Sequence, residues 1–220
     1  MTEAEKQYID LYTEASEAIK EHSAEVMNAV RDRAFEDFRR QGFPTRKVER
    51  YKYTDMEKIF APNYGLNINR IEFPVDPYAA FRCDVPNLST LLYFVVNDAF
   101  YTKRLPNVQP EEGVVIGSLR KAAEEHPELI ARYYARIAKT EEDAITALNT
   151  MLAQDGLFIY VPKNVQMEKC VQIINILRAD VSMMVNRRVL IVMEEGAKAK
   201  FLFCDHTADD HDFLATQVIE

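Results

Sequence analysis

Between Leu148 and Cys204 the chain stops reading as helices and starts reading as short apolar strands separated by turns. It opens on the run from Leu148 to Gly156, a helix end closed by glycine. Leu157 to Val161 is an apolar strand, turned by Pro162, Lys163 and Asn164. Val171 to Leu177 is a second strand, Arg188 to Met193 a third, Glu194 to Gly196 another turn, and Ala199 to Cys204 a fourth strand. Val161 and Met193 each close a strand just before a turn and lie 32 positions apart. A strand pattern rising by such a step predicts the first coils of a right-handed parallel β-helix, in which each coil buries its apolar face on the next. A further strand runs from Phe213 to Glu220. Solenoids need roughly three or more repeats and a capped end, so the chain reads as the front part of a longer protein. An uncapped edge predicts homodimerisation of such a truncated form.

The first two-thirds is of another kind. Leu11, Ala15, Ile19, Val26, Val30, Ala34 and Phe38 recur at helical steps, which predicts one helix from Glu5 to Arg40, stopped by Gly42 and Pro44. Thr54 with Glu57 reads as a capping box for a short helix, Asp55 to Phe60. Ala61 to Pro77, punctuated by prolines and Gly65, reads as irregular connection. Leu91 to Asn97 is a strong strand; Phe81 to Val85 and Val114 to Ile116 are weaker ones. Ser118 opens a helix that His126 and Pro127 interrupt, and Glu128 to Lys139 and Glu141 to Gln154 are amphipathic. The fold class is therefore α+β: an N-terminal helical αβ domain over residues 1–154 and the start of a β-helix core over residues 155–220.

Charge and composition narrow the function. A net charge of −8 argues against a general nucleic-acid binder, although Arg39, Arg40, Arg46, Lys47, Arg50 and Lys52 form a local basic cluster. Its functional reading is a docking surface for an acidic partner or nucleic acid; its structural reading is a solvated turn after the long helix, with Tyr51 and Tyr53 on one face if the piece is extended. The acidic start shows no secretory signal, and no apolar run reaches the roughly 18 residues a membrane span requires. Cys83, Cys170 and Cys204 fit neither a disulfide framework nor a CxxC metal site, which places the chain in a reducing cytoplasm. Residues 113–117 lack the Gly-Lys-Ser/Thr ending of a phosphate loop, so ATP hydrolysis would belong to a partner.

Two strings carry a family resemblance. Gly42-Phe43-Pro44-Thr45 with Glu49 and Tyr51-Lys52-Tyr53-Thr54 resembles the amino-terminal signature of the SufB/SufD family of iron–sulfur cluster assembly, on its SufD side. Leu148-Asn149-Thr150 through Ala153-Gln154-Asp155-Gly156, with Ile159 to Pro162, resembles the entry into that family's β-helix core. The resemblance implies a non-enzymatic scaffold subunit that pairs with a SufB-like paralogue through the β-helix. It also implies a SufC-like ATPase bound through a C-terminal helical domain, and an iron–sulfur cluster built on the full complex, with no cofactor bound by this fragment. The family's cluster-related residues lie later in the chain than Glu220, so no site residue is carried over.

The sharpest local constellation is the run from Cys204 to Asp212, where Cys204, His206 and His211 are of metal-ligand type. The competing reading is a polar loop joining two strands, with Cys204 facing the core. Cys170, beside Lys169, and Cys83 read as small buried hydrophobes, and the Tyr133–Tyr134 and Met183–Met184 pairs as packing residues. Two other classes stay open: a β-helix carbohydrate-active enzyme, whose acids would be Asp205 to Asp212, and a protein-interaction module docking through its helical section.

Overall fold

A computed structural model describes residues 1–81 and 90–220. In chain order the helices are α1 (Glu3–Glu21), α2 (Glu25–Asn28), α3 (Arg31–Gln41), α4 (Met56–Phe60), α5 (Pro77–Ala80), α6 (Leu119–Glu125), α7 (Pro127–Tyr133) and α8 (Ala144–Leu152). The strands are β1 (Thr90–Val96), β2 (Ala99–Phe100), β3 (Val115–Ser118), β4 (Gly156–Val161), β5 (Cys170–Leu177), β6 (Met183–Met193), β7 (Phe201–Thr207) and β8 (Phe213–Ile219). The Phe81–Val85 strand expectation lies, but for Phe81, outside the described residues, as does Cys83.

The strands form two sheets, in the orders β2-β1-β5-β7 and β3-β4-β6-β8. From β4 onward the chain alternates between them, and each return pairs parallel to the strand laid down one circuit earlier. Val161 sits opposite Met193, so the 32-residue spacing is the register of β4 on β6. In the later pairs the step falls to 30, with Val171 opposite Phe201 and Met183 opposite Phe213. The two-residue difference is absorbed between the Gln166–Lys198 bridge and the start of β5. The corners stack as well: the Asn164 N–H donates to Glu195 O at 2.9 Å, and Lys163 Nζ lies 2.7 Å from Glu195. Gly196 crosses directly over Asn164 with φ of 76°, and a Cβ there would stand 2.4 Å from Asn164 Oδ1.

Three apolar layers result. Leu91, Tyr93 and Val95 of β1 meet Leu157, Ile159 and Val161 of β4, Val171 and Ile173 of β5, and Val189 of β6 between the sheets. The outer face of the β3-β4-β6-β8 sheet lies under helices, with Phe158, Leu190 and Val192 against α2, α6 and α7, and Met184 against α1, α3 and α8. The other sheet's outer face, Phe94, Ile174 and Ile176, has a thinner cover of Tyr78, Phe81 and Tyr101. The line between residues 154 and 155 falls between α8 and β4, while both sheets draw strands from either side of it: β1 pairs with β5 and β3 with β4.

Several local expectations are corrected. The helix expected over residues 5–40 is three helices, because polar side chains compete with the backbone. Asn28 Nδ2 takes the Lys20 carbonyl at 2.9 Å, and Ser23 Oγ accepts from Arg31. Asp55, not Thr54, caps α4, accepting from the Lys58 N–H at 3.1 Å. Helix α7 stops at Tyr133 because Ala135 takes a φ of 56°. Gly156 does not close a helix: α8 ends at Leu152, and Gly156 opens β4 hard against β6, where a Cβ would stand 1.8 Å from Arg188 O. Strand β6 starts five residues earlier than its apolar run predicts, because Asn186, Arg187 and Arg188 continue it as buried residues.

Candidate functional site

The strand pleat decides what the sequence-predicted groups can do. Cys204, Asp205, His206 and Thr207 belong to β7, so the run to Asp212 is not one loop. Alternation sends Cys204 and His206 to the outer sheet face and Asp205 inward. Cys204 packs on Phe94, Ile174 and Ile176, and its sulfur lies 3.8 Å from Gln172 Nε2. The His206 ring stands edge-on to Phe81 at 5.2 Å between centroids. His211 lies in the turn beyond, its N–H donating to Asp209 Oδ1 at 3.0 Å. The three are not brought together, and among the described residues no group of three His, Cys, Asp or Glu side chains is placed to hold a metal ion. Two acids of the same run are engaged elsewhere: Asp205 with Arg187, and Asp209 with Arg178 and the Ala179 N–H at 2.9 Å.

The basic cluster after α3 is largely paired off. Arg39 meets Glu36 at 2.8 Å, Arg40 meets Asp37 at 3.0 Å, Arg46 meets Asp55 at 3.4 Å, Arg50 meets Asp143 at 2.9 Å, and Lys52 pairs with Glu49. Tyr51 and Tyr53 do not share a face, since residues 49–51 form a helical turn. Tyr51 Oη donates to Asp143 at 2.7 Å, whereas Tyr53 is 89% exposed.

Sequence reasoning missed three buried arginines. Arg31 has no carboxylate partner among the described residues; its Nη1 donates to the carbonyls of Thr150, Met151 and Ala153 at 3.3, 2.9 and 2.8 Å, closing the C-terminus of α8. Burial holds its pKa below the usual arginine value. Arg188 meets Glu220 at 2.6 Å with both side chains fully buried. Arg187 reaches Asn97 O at 2.9 Å through Nε and pairs with Asp205 through Nη1, while its buried Nη2 has no partner among the described residues. The one signal for the last two was a charged pair inside an otherwise apolar strand.

A cavity of about 130 Å³ at the β1–β2 turn is lined by Arg70, Asn97, Asp98 and Lys103 among others. Its charges are mutually satisfied: Arg70 pairs with Asp98, and Lys103 with Glu72 at 2.7 Å. Nearby Asp155 accepts from Ser118 Oγ at 2.8 Å and from the Arg120 and Gly156 N–H groups at 3.0 and 2.7 Å, yet its burial raises its pKa.

The surface with chemistry left to offer is the end of the stack. Strands β7 and β8 are the last of their sheets, so each presents an edge of backbone donors and acceptors without a ladder partner among the described residues. Between the two edges lie half-buried Phe201 and Phe203 from β7. Gln217 and Ile219 of β8, in register with Arg187 and Val189, stand opposite them. Asn175 Nδ2 donates to Gln217 Oε1 at 3.3 Å across the sheets. Such an end can accept a further parallel strand on each sheet and cover its apolar cross-section.

Comparison with known proteins gives a family-model match to the SufBD protein N-terminal region over residues 2–173. The iron–sulfur cluster assembly protein SufD of Bacillus subtilis is 29% identical over 157 residues, covering 71% of this chain and 35% of that protein. A SufBD family protein of iron–sulfur cluster assembly from Synechocystis is 32% identical over 115 residues, covering 50% of this chain and 23% of its own length. One from Arabidopsis thaliana is 30% identical over 132 residues, covering 57% and 28%. The chain thus spans about a third or less of the length of these relatives. No helix among the described residues is long and apolar enough to cross a membrane.

Proposed function

The chain belongs to the SufB/SufD family, and from that premise we propose that it is part of a non-enzymatic scaffold subunit for iron–sulfur cluster assembly in the cytoplasm. The observation that carries this reading is the family match over residues 2–173. In this reading residues 155–220 are the first coils of a right-handed parallel β-helix, covered on one side by the helical section of residues 1–154. The free edges of β7 and β8 receive later coils of the same protein, and through the finished β-helix the subunit pairs with a SufB-like paralogue. A SufC-like ATPase docks on a part of the protein outside these residues. The cluster is cargo of the whole complex, and no cofactor is assigned to this segment. An end left uncovered pairs with a second copy, which makes a homodimer of the isolated segment the corollary.

Co-expression of the full-length protein with SufB-like and SufC-like partners, followed by affinity capture and iron and sulfide analysis, tests the proposal. A stable complex that loads a cluster in an ATPase-dependent way supports it. Failure of the partners to co-purify, with cluster loading on the SufB-like protein indifferent to this one, sinks it.

A further inference from the structure

The backbone just after α7 does something a connecting loop has no need to do. Tyr134 ends the helix with its N–H on Ile130 O at 2.8 Å, and Ala135 then turns left-handed at φ 56°, a conformation alanine disfavours. The turn aims three backbone N–H groups, those of Ala135, Ile137 and Ala138, at one point, an anion-binding concavity of backbone donors. That point is the Glu220 carboxylate. Ala135 N lies 2.9 Å from Oε2, while Ile137 N and Ala138 N lie 3.0 and 2.9 Å from Oε1. Arg188 Nη2 completes the set at 2.6 Å from Oε2. Two donors on each oxygen use the four acceptor positions a carboxylate has.

The arginine is itself fixed. Its Nη1 donates to Thr150 Oγ1 at 2.8 Å, and its guanidinium lies 4.8 Å from the centre of the Tyr134 ring. The Arg188 and Glu220 side chains are both fully buried, so neither is a loose surface group that happens to meet the other. Tyr134, Ala135 and Arg136 also line a groove of about 640 Å³ between α2–α3 and α6–α7.

We infer that residues 134–138 together with Arg188 form a carboxylate receptor whose resident ligand is Glu220, and that its occupancy locks β8 in register beneath the helical layer. The receptor recognises the carboxylate group rather than the rest of the glutamate. It therefore accepts a small free carboxylate such as formate when the side chain is cut back.

The test uses the Glu220→Ala variant of the full-length protein, with amide hydrogen exchange read residue by residue and formate titrated against chloride at constant ionic strength. Exchange at Ala135, Ile137 and Ala138 is expected to quicken by roughly ten- to a hundredfold, the worth of a charge-assisted hydrogen bond. Formate, but not chloride, should reverse the loss saturably. Unchanged exchange at these amides, or a loss that formate restores no better than chloride, overturns the inference. Should Glu220→Ala fail to fold, Glu220→Gln decides. Its NH2 must face two of the four donors, so protection should fall at part of the set and formate should not restore it, the site being filled. Protection equal to the parent's at all three amides overturns the inference.

Discussion

The stretch from Arg39 to Lys52 and the trio Arg31, Arg187 and Arg188 use the same chemistry to opposite ends. The first is dense in charge, exposed, and paired with neighbouring carboxylates on the surface. The second is buried and bonded inside the fold: Arg31 to three carbonyls of α8 and its end, Arg187 to Asn97 O and Asp205, and Arg188 to Thr150 Oγ1 and Glu220. Density of charge along a sequence therefore marks a solvated surface, where each pair contributes little. A buried arginine marks a joint, because a buried guanidinium is tolerated only where its donors are largely satisfied.

The comparison breaks most visibly at Arg188. Arg188→Met removes one partner of a buried pair and should cost about 3–5 kcal/mol in denaturant unfolding. The double variant Arg188→Met, Glu220→Gln should recover much of that loss, because no charge is left buried; a double variant as unstable as the single would contradict the account. Arg31→Ala comes next. It leaves the carbonyls at the end of α8 without their donor, at roughly 1–3 kcal/mol for a buried orphan, so a loss of about 3 kcal/mol is expected. Arg31→Lys should recover only part of it, since an ammonium lacks the planar fork.

The acid limb of stability sharpens the comparison within the buried set. Burial works to raise the Glu220 pKa, but Arg188 and the Ala138 and Ala135 amides outweigh it and hold it below the ordinary 4.5. Its contribution is therefore present above 4.5 and lost as pH falls through the lower native value. Asp155 runs the other way: burial raises it above 3.8, so its contribution is greatest at low pH and is lost as pH rises through the native value. Unfolding midpoints measured across this range should show Asp155→Asn gaining on the parent as pH rises, and Glu220→Gln gaining on it as pH falls. A difference of the reverse sign at either residue would refute the assignment.

The smallest effect belongs to the surface. Arg50→Ala should shift stability by about 0–1 kcal/mol, and by less in high salt. Arg50 is largely exposed, and Tyr51 still donates to Asp143 at 2.7 Å without it. A loss comparable to that of Arg31→Ala would erase the distinction between the two regions.

Much of the strand half was legible because period and punctuation are local. Pro162, Asn164 and Gly196 mark the corners, and the 32-residue spacing of Val161 and Met193 is the observed register. Gly156 was noticed for the wrong reason: a glycine at a helix end and one under a crossing backbone look alike in one dimension, and only the approach of Arg188 O separates them. The Cys204 to His211 run offered ligand-type side chains and, as the competing reading, a polar loop; it is neither a ligand set nor one loop, because β7 runs on through Thr207 and leaves His211 in the turn beyond. The end of α7 escaped notice because alanine carries no turn signal, and what holds Ala135 left-handed is Glu220, 85 residues away.

The sequence by itself determined the class of the molecule, the positions of most strands and the 32-residue register of β4 on β6, all set by side-chain periodicity and by glycine and proline within a few residues. Only the tertiary structure decided that β1 lies beside β5, 80 residues on, that Arg31 joins α3 to the end of α8, and that the turn after α7 meets Glu220 at the end of β8. The reason is physical. Many of the partners in those joints are backbone carbonyls and amides, which every residue carries alike, so nothing in the order of side chains marks which of them will be met.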